Sequence, residues 1–142
     1  MTNAALIVAA GKGVRLGSSL PKQYLPLAGV PILRRTVEVF LNHPGIDLVQ
    51  VVIAGADDAL YRMATAGLAL PEPVTGGADR QQSVLNGLDA LAGLNLNKVL
   101  IHDAARPFVG AHTITDVLDA LSEADGALPV LALSDSIKAL SG

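Results

Sequence analysis

The sequence predicts an α/β fold: a doubly wound, mainly parallel sheet in a single domain. Short apolar runs alternate along the chain with segments whose apolar residues recur at helical spacing, in the order β, α, β, α, β, α, β, α, β. Of the 142 residues, 51% are hydrophobic, but only 3% are aromatic and none is Trp. Leu, Val, Ile and Ala must therefore fill the core, as is typical of parallel sheets covered by helices.

The first strand, the loop after it and the first helix are clearly marked. Ala4–Ala9 is an apolar run that ends in small residues. Gly11–Leu25 is a loop too long for a plain turn, and long loops in compact domains usually have a function. Pro31 opens a helix, because its missing N–H would lack a partner in the first turn anyway. The predicted inner face of that helix consists of Ile32, Leu33, Thr36, Val37, Phe40 and Leu41.

The middle of the chain predicts a second strand and a short helix. Leu48–Ala54 is a continuous apolar run, as expected of a buried strand. Asp57 or Asp58 can cap a helix that runs through Ala66. After a proline-containing turn, the chain is expected to be extended around Val74.

The last third of the chain predicts two helices and two more strands. A glycine loop over residues 75–80 leads into a helix, Lys98–His102 is a strand, and Thr113 caps the next helix. Gly126–Leu133 is predicted as the last strand, followed by a polar tail. The predicted inner faces of the two helices are Val84, Leu85, Leu88 and Leu91 in the first, and Ile114, Val117, Leu118 and Leu121 in the second.

Three unusual loops follow predicted strands, after Ala9, after Val74 and after His102. Ligands of doubly wound sheets bind beyond the carboxyl ends of the strands, so we expect these loops to form one site. In the second loop, Gly76-Gly77 leaves room for a flat base, which the hydroxyl of Ser83 could contact. A turn that simply precedes a helix explains the same residues.

The first of these loops is rich in glycine and carries cations. Gly11–Gly17 matches neither common phosphate fingerprint, because Leu16 stands where a dinucleotide-binding loop needs glycine and no P-loop lysine follows Gly17. What remains is a turn whose backbone N–H groups can wrap a polyphosphate, with Arg15 and Lys22 as mobile cations. Glycines that only supply positive φ and solvated lysines are the structural alternative.

Asp103 directly follows a predicted buried strand and is the candidate metal ligand. A carboxylate at the end of a central strand, facing a basic phosphate loop, is where Mg²⁺ would bridge protein and triphosphate. A helix cap or an ion pair with Arg106 is the structural alternative. His43, His102 and His112 show no metal-ligand spacing, and His102 is expected to pack or to bond locally.

Composition excludes several classes of protein. The absence of cysteine rules out disulfides, thiolate metal sites and a cysteine nucleophile. With no long apolar stretch and a net charge of −3, we expect a soluble, cytoplasmic protein that binds neither membranes nor nucleic acid. Basic residues nevertheless precede the first acidic one, Glu38, so the field at the amino-terminal end is positive. A small anionic ligand is therefore expected.

Four motifs follow one another along the chain. They are Ala9-Ala10-Gly11-x-Gly13-x-Arg15, Pro21-Lys22-Gln23-Tyr24, Gly76-Gly77-x-x-Arg80-x-x-Ser83-Val84 and His102-Asp103-Ala104-Ala105-Arg106-Pro107. Together they closely resemble the 2-C-methyl-D-erythritol 4-phosphate cytidylyltransferase family of the non-mevalonate isoprenoid pathway. The resemblance implies a Rossmann-like fold of the nucleotidyltransferase type and transfer of a cytidylyl group from CTP, with Mg²⁺ required and pyrophosphate leaving.

The resemblance also implies roles for individual residues. Nucleotide binding falls to Ala9, Ala10, Gly11, Gly13, Gly77, Ser83 and Ala104. Stabilisation of the five-coordinate α-phosphorus falls to Arg15 and Lys22. Asp103 is implied to bind the metal and the sugar-phosphate end of the acceptor, with Arg106 and Ser136 as further substrate contacts. Ser136 stands where the family usually has a threonine, so the hydroxyl is kept.

The resemblance covers residues 1–142 but only the first part of the family's length. Family members continue past the position of Lys138 into an arm that pairs two subunits, so a homodimer is implied for the full-length protein. The chain is then either part of a longer protein, such as a fusion with another pathway enzyme, or a truncated product that binds nucleotide weakly and turns over poorly. A cytidylyltransferase for another sugar-alcohol phosphate and a non-catalytic nucleotide-binding module stay open as alternatives.

Overall fold

The computed structural model describes residues 2–11 and 20–132, and its centre is a parallel sheet. The strands lie in the order β5-β4-β1-β6 and all pair in parallel. Their bounds are Thr2–Ala9 for β1, Leu48–Ile53 for β4, Val74–Thr75 for β5 and Leu96–Asp103 for β6. β1 lies between two neighbours and is almost wholly buried, which explains its apolar sequence.

Helices cover both faces of this sheet. They are α1 (Ile32–Leu41), α2 (Asp58–Ala64), α3 (Arg80–Leu91) and α4 (Ala111–Ala120). Alternate residues of β1 point to opposite faces, so Ala5 and Ile7 pack with α1 and α4, whereas Ala4 and Leu6 pack with α3. The predicted doubly wound, mainly parallel α/β fold is confirmed.

The register of the strands brings their carboxyl ends to one edge. Ala9 pairs with Ile53, Ile53 pairs with Thr75, and Val8 pairs with Asp103. The loops that follow β1, β5 and β6 therefore start side by side, as expected from the topology.

A small antiparallel hairpin, which the sequence analysis did not predict, precedes α1. It pairs β2 (Pro26–Leu27) with β3 (Val30–Pro31). Its two turn residues have positive φ, 49° at Ala28 and 78° at Gly29, as a type I′ turn requires. Nε of Arg35 on α1 donates to the Leu27 carbonyl at 2.8 Å and so joins the hairpin to the helix.

One predicted helix start is wrong, and another is right in position but lacks the predicted side-chain cap. α4 begins at Ala111 after Gly110, so Thr113 lies inside its first turn and does not cap it. α2 follows Asp57 and ends at Ala64, and neither Asp57 nor Asp58 caps it through a side-chain hydrogen bond. A sequence pattern predicts that a helix is present more reliably than it predicts the residue at which the helix begins.

The predicted inner face of α3 is wrong at one position. Val84, Leu88 and Leu91 pack against the sheet, but Leu85 is 49% exposed. The reason is the glycine at position 87, whose missing side chain lets the helix approach the sheet so closely that an added Cβ would lie 2.6 Å from Leu6. This contact turns Leu85 towards solvent.

The strand predicted at Gly126–Leu133 is also wrong over the part that the structure describes. Residues 126–132 form no strand, and Leu128 and Val130 are each 80% exposed. An apolar run favours a strand only where a neighbouring strand is available for pairing. Between residues 20 and 132, as between 2 and 11, no helix has the length and apolarity needed to cross a membrane.

Candidate functional site

A cleft of about 870 Å³ opens at the carboxyl edge of the sheet. All nine of the predicted site residues that the structure describes meet there. Those lining the cleft are Ala9, Ala10, Gly11, Lys22, Gly77, Ser83, Asp103, Ala104 and Arg106. Predictions for Gly13, Arg15 and Ser136 lie outside the described residues.

The first wall of the cleft is the end of β1 together with the turn that carries Lys22. Residues Lys22–Tyr24 form one turn of 3-10 helix, in which Tyr24 N–H donates to the Pro21 carbonyl at 2.9 Å. The side-chain amide of Gln23 donates to the carbonyls of Ala9 at 2.6 Å and Gly11 at 3.1 Å. Lys22 is exposed and pairs with no carboxylate in the described ranges, so its ammonium group is available to an anion.

The second wall is the glycine loop before α3. The hydroxyl of Ser83 accepts from Gly77 N–H at 3.0 Å and donates to the Asp79 carbonyl at 2.7 Å. A Cβ at Gly76 would lie 2.5 Å from that of Ala10, so only glycine fits there. Ser83 is buried and its one proton is used within the loop. It therefore shapes this wall and keeps only acceptor capacity for a ligand.

The amino-terminal end of α3 adds to the positive character of the cleft. Asp79 caps the helix, since its carboxylate accepts from Gln82 N–H at 2.7 Å. Asp79 and Arg80 both line the cleft, so the positive end of the helix dipole lies beside it. A helix start of this kind favours a negatively charged ligand.

The third wall is an ion-pair network around Asp103. Nε and Nη2 of Arg80 donate to Oδ1 of Asp103 at 3.1 and 3.0 Å, and Nε of Arg106 donates to Oδ2 at 3.1 Å. Partial burial alone would raise the pKa of Asp103, but the hydrogen bonds and charges of the two guanidinium groups outweigh burial and lower it below the ordinary value. Asp103 is therefore ionised at neutral pH and holds two cations in the cleft.

Ala104 contributes backbone to the same wall and is fixed from two sides. Its N–H donates to the Val8 carbonyl at 3.0 Å, and its carbonyl accepts from Oγ1 of Thr36 at 2.7 Å. Thr36 lies on the predicted inner face of α1, and no spacing signal in the sequence shows that its hydroxyl reaches this loop.

Sequence reasoning also missed the place of Arg80 and Gln23 in the site. Both were noted only as letters of a motif. Arg80 lies 23 residues from Asp103 along the chain, so no local pattern reveals their ion pair. Gln23 is buried, which the polarity of its side chain does not predict.

The charges that line the cleft favour a polyanion. Three cations, Lys22, Arg80 and Arg106, face two carboxylates, Asp79 and Asp103. Residues 2–11 and 20–132 contain no group of three or more His, Cys, Asp or Glu side chains that could hold a metal by itself. One carboxylate suits Mg²⁺ that takes most of its ligands from phosphates and water, so Asp103 fits a metal that arrives with a nucleotide.

Comparison with known proteins gives one family and several relatives. The model of the family described as IspD, 2-C-methyl-D-erythritol 4-phosphate cytidylyltransferase, matches residues 3–142. A bifunctional enzyme IspD/IspF from Paramagnetospirillum magneticum is 54% identical over 133 residues, which cover 94% of this chain and 35% of that protein. The chain thus spans about a third of the length of such curated relatives.

Solved structures give the same result. A crystal structure of 4-diphosphocytidyl-2C-methyl-D-erythritol synthase superposes with a TM-score of 0.71 at 29% identity, covering 87% of this chain and 55% of the other. The bifunctional IspDF from Campylobacter jejuni superposes with a TM-score of 0.79 over 97% of this chain and 35% of its own. At 21% identity, this second likeness concerns the fold alone.

Proposed function

Because the chain belongs to the 2-C-methyl-D-erythritol 4-phosphate cytidylyltransferase family, we propose that the protein carrying it transfers the cytidylyl group of CTP to 2-C-methyl-D-erythritol 4-phosphate. A phosphate oxygen of the acceptor attacks the α-phosphorus of CTP, the bond to the bridging oxygen of the β-phosphate breaks, and pyrophosphate leaves. One observation carries this proposal: cations from three separate parts of the chain line one cleft at the carboxyl edge of the sheet.

Lys22 is proposed to stabilise the transition state. Negative charge builds on the oxygens of the α-phosphorus as the new bond forms, and a fixed ammonium group beside them lowers the barrier. The ammonium group of Lys22, which pairs with no carboxylate in the described ranges, supports this role. Arg15 is proposed to act in the same way. No covalent intermediate is needed, because the acceptor phosphate is itself the nucleophile.

The two glycine loops are proposed to hold the nucleotide. Backbone groups of Ala9, Ala10, Gly11 and Gly13 would bind the triphosphate, while Gly77, Ser83 and Ala104 would line the cytidine pocket. A Cβ at Gly76 would meet Ala10 and one at Gly77 would meet Gln82. These glycines therefore let the loop pack closely beside the hydroxyl of Ser83, rather than leave open room for the base. The start of α3 suits the phosphates, because its dipole favours negative charge.

The Asp103 wall is proposed to serve the metal and the acceptor. Bound Mg²⁺ would neutralise charge on the triphosphate, and Asp103 is the described carboxylate that could hold it. Arg106 and Ser136 would contact the sugar phosphate. The full-length protein is also proposed to form a homodimer, which sedimentation would test. It is proposed to be cytoplasmic, which cell fractionation would test.

Coupled pyrophosphate release by the full-length protein tests this function. CTP is offered with 2-C-methyl-D-erythritol 4-phosphate and, separately, with other sugar-alcohol phosphates. We expect release with the methylerythritol substrate and formation of its cytidine diphosphate derivative, seen by mass spectrometry. Release with only a different sugar-alcohol phosphate would mean that this other phosphate is the acceptor. CTP binding without turnover would mean that the protein is a nucleotide-binding module.

A further inference from the structure

We propose that Gln23 is a positioning residue, whose buried amide ties the turn carrying Lys22 to the backbone at the end of β1. The amide thereby fixes where the backbone of Lys22, from which its ammonium group extends, stands relative to the backbone that is proposed to bind the nucleotide. This inference rests on the proposed function and adds to it a residue that acts through its neighbours.

The geometry of the amide supports this role. Nε2 of Gln23 lies 2.6 Å from the Ala9 carbonyl oxygen and 3.1 Å from that of Gly11. An amide nitrogen has two protons, and both are used. One group thus holds two backbone positions that stand on either side of Ala10, and all three of these residues line the cleft.

The burial of Gln23 makes these bonds strong constraints. The residue is 4% exposed, and Ala9 is buried as well. A buried carbonyl that loses its donor cannot turn to water without moving, so the bond to Ala9 resists displacement. The bond to the exposed Gly11 is the weaker constraint. An exposed glutamine in the same place would exchange its bonds with solvent.

Lys22 is followed directly by two anchored residues. Gln23 fixes the turn to β1, and Tyr24 fixes it to the main core cluster, which also contains Leu33 and Tyr61. The turn itself is closed by the bond from Leu25 N–H to the Lys22 carbonyl at 3.2 Å. The exposed lysine therefore starts from a rigid backbone, although its own side chain is free to move.

Rigid placement matters most for a group that acts on the transition state. A misplacement of about 1 Å can cost about a hundredfold in rate. Binding of the ground-state nucleotide depends on many contacts and is less sensitive to one of them. Loss of the Gln23 amide should therefore reduce kcat more than it weakens CTP binding.

Gln50 provides a matched control. It is also a buried glutamine, 5% exposed, and its amide also donates to two backbone carbonyls, those of Glu72 at 2.9 Å and Val51 at 3.3 Å. It lies in the middle of β4 and does not line the cleft. Its removal disturbs the core without touching the backbone around Lys22.

The experiment compares Gln23→Ala, Gln23→Glu and Gln50→Ala with the wild type in the full-length protein. Gln23→Glu keeps the size of the side chain and loses the donor, so it separates hydrogen bonding from packing if the alanine variant unfolds. Thermal unfolding, CTP affinity by calorimetry and kcat are measured well below each Tm. Hydrogen exchange is followed for the amides of residues 9–11 and 22–24.

We expect both Gln23 variants to lower kcat by about a hundredfold, with a smaller loss of CTP affinity and faster exchange of these amides. Gln50→Ala should lower Tm to a similar extent and keep kcat within about threefold of the wild type. The proposal is overturned if Gln23→Glu keeps wild-type kcat, or if Gln23→Ala and Gln50→Ala reduce kcat equally.

The wild type separates this inference from the proposed function. If it releases no pyrophosphate with any acceptor, the cytidylyltransferase proposal fails. Hydrogen exchange still tests whether the Gln23 amide holds the turn against the end of β1. Faster exchange of these amides in the Gln23 variants but not in Gln50→Ala would then support the positioning role. Unchanged exchange in all variants would refute it.

Discussion

The two charged walls of the cleft are built in opposite ways. Beside Lys22, the backbone is held by a neutral, buried amide that donates to Ala9 and Gly11. Across the cleft, Asp103 is held by ion pairs in which the side chains of Arg80 and Arg106 are 62% and 75% exposed. Exposed ion pairs contribute only about 0–1 kcal/mol and weaken with salt, whereas buried neutral bonds are little screened.

This difference indicates that one wall is fixed and the other can rearrange. Phosphate oxygens are strong acceptors for guanidinium groups, so they can compete with Asp103 for Arg80 and Arg106. The carboxylate would then be free to meet a metal that enters with the nucleotide. Among the described residues no ion pair holds the wall that carries Lys22 and Gln23, so a phosphate has no carboxylate to displace there and that wall should stay in place.

The largest effect is expected from Lys22→Ala, on the fixed wall. We expect kcat to fall by about a hundredfold or more, with CTP affinity within about tenfold of the wild type, because the ammonium group acts mainly in the transition state. Pyrophosphate release and calorimetry with CTP measure the two quantities.

Lys98→Ala is the matched control for this variant. Nζ of Lys98 donates to the Leu118 carbonyl at 2.5 Å and to Oγ of Ser122 at 2.6 Å, at the end of α4 and away from the cleft. Its loss should lower Tm and leave kcat unchanged. Equal losses of kcat and CTP affinity in Lys22→Ala would contradict a transition-state role.

The next largest effect concerns the metal at the wall formed by the ion pairs of Asp103. Asp103→Asn keeps the shape of the side chain and removes its charge, so about tenfold more Mg²⁺ should be needed for the half-maximal rate, the loss of roughly 1.4 kcal/mol. Calorimetric titration of CTP-bound protein with Mg²⁺ gives a readout that does not depend on turnover. An unaltered metal titration would mean that Asp103 only holds the two arginines.

Most of the fold and the position of the cleft follow from local sequence signals. The apolar run of β1 and the helical spacing after Pro31 predict these two elements, and the rule that ligands bind at the carboxyl ends of the strands then predicts that the loops share one edge. The strand predicted over residues 126–132 shows the limit of this reasoning, since a strand needs a partner that its own sequence does not specify.

The missed parts of the site depend on contacts between distant residues. The buried amide of Gln23 is satisfied by the carbonyls of Ala9 and Gly11, a pairing that the polarity of the side chain alone does not predict. The exposure of Leu85 was missed because the absence of a side chain at Gly87 lets α3 lie close to the sheet. Hydropathy does not reveal this close approach. Such features arise from packing, which a single sequence does not display.

A smaller effect is expected from Arg80→Ala, with Arg62→Ala as its control. Arg62 is similarly exposed and also pairs with carboxylates, those of Asp58 and Glu72, but it lies outside the cleft. Arg80→Ala should weaken CTP binding about fivefold at low salt and less at high salt. Both variants should change stability by less than about 1 kcal/mol. If the two variants bind CTP equally well at low salt, Arg80 does not leave Asp103 to bind a phosphate of the nucleotide.

The smallest effect is expected in the hairpin, where stability can be changed without touching either wall. Ala28 has φ at 49°, a region that alanine tolerates poorly and asparagine better. Ala28→Asn should therefore stabilise the protein by about 0.5–1 kcal/mol, and Ala28→Val, with a β-branched side chain, should destabilise it. Chemical denaturation measures both changes, and kcat should stay at the wild-type value in each. A loss of kcat that followed stability in this pair would mean that the Gln23 variants, too, act through stability rather than through the position of Lys22.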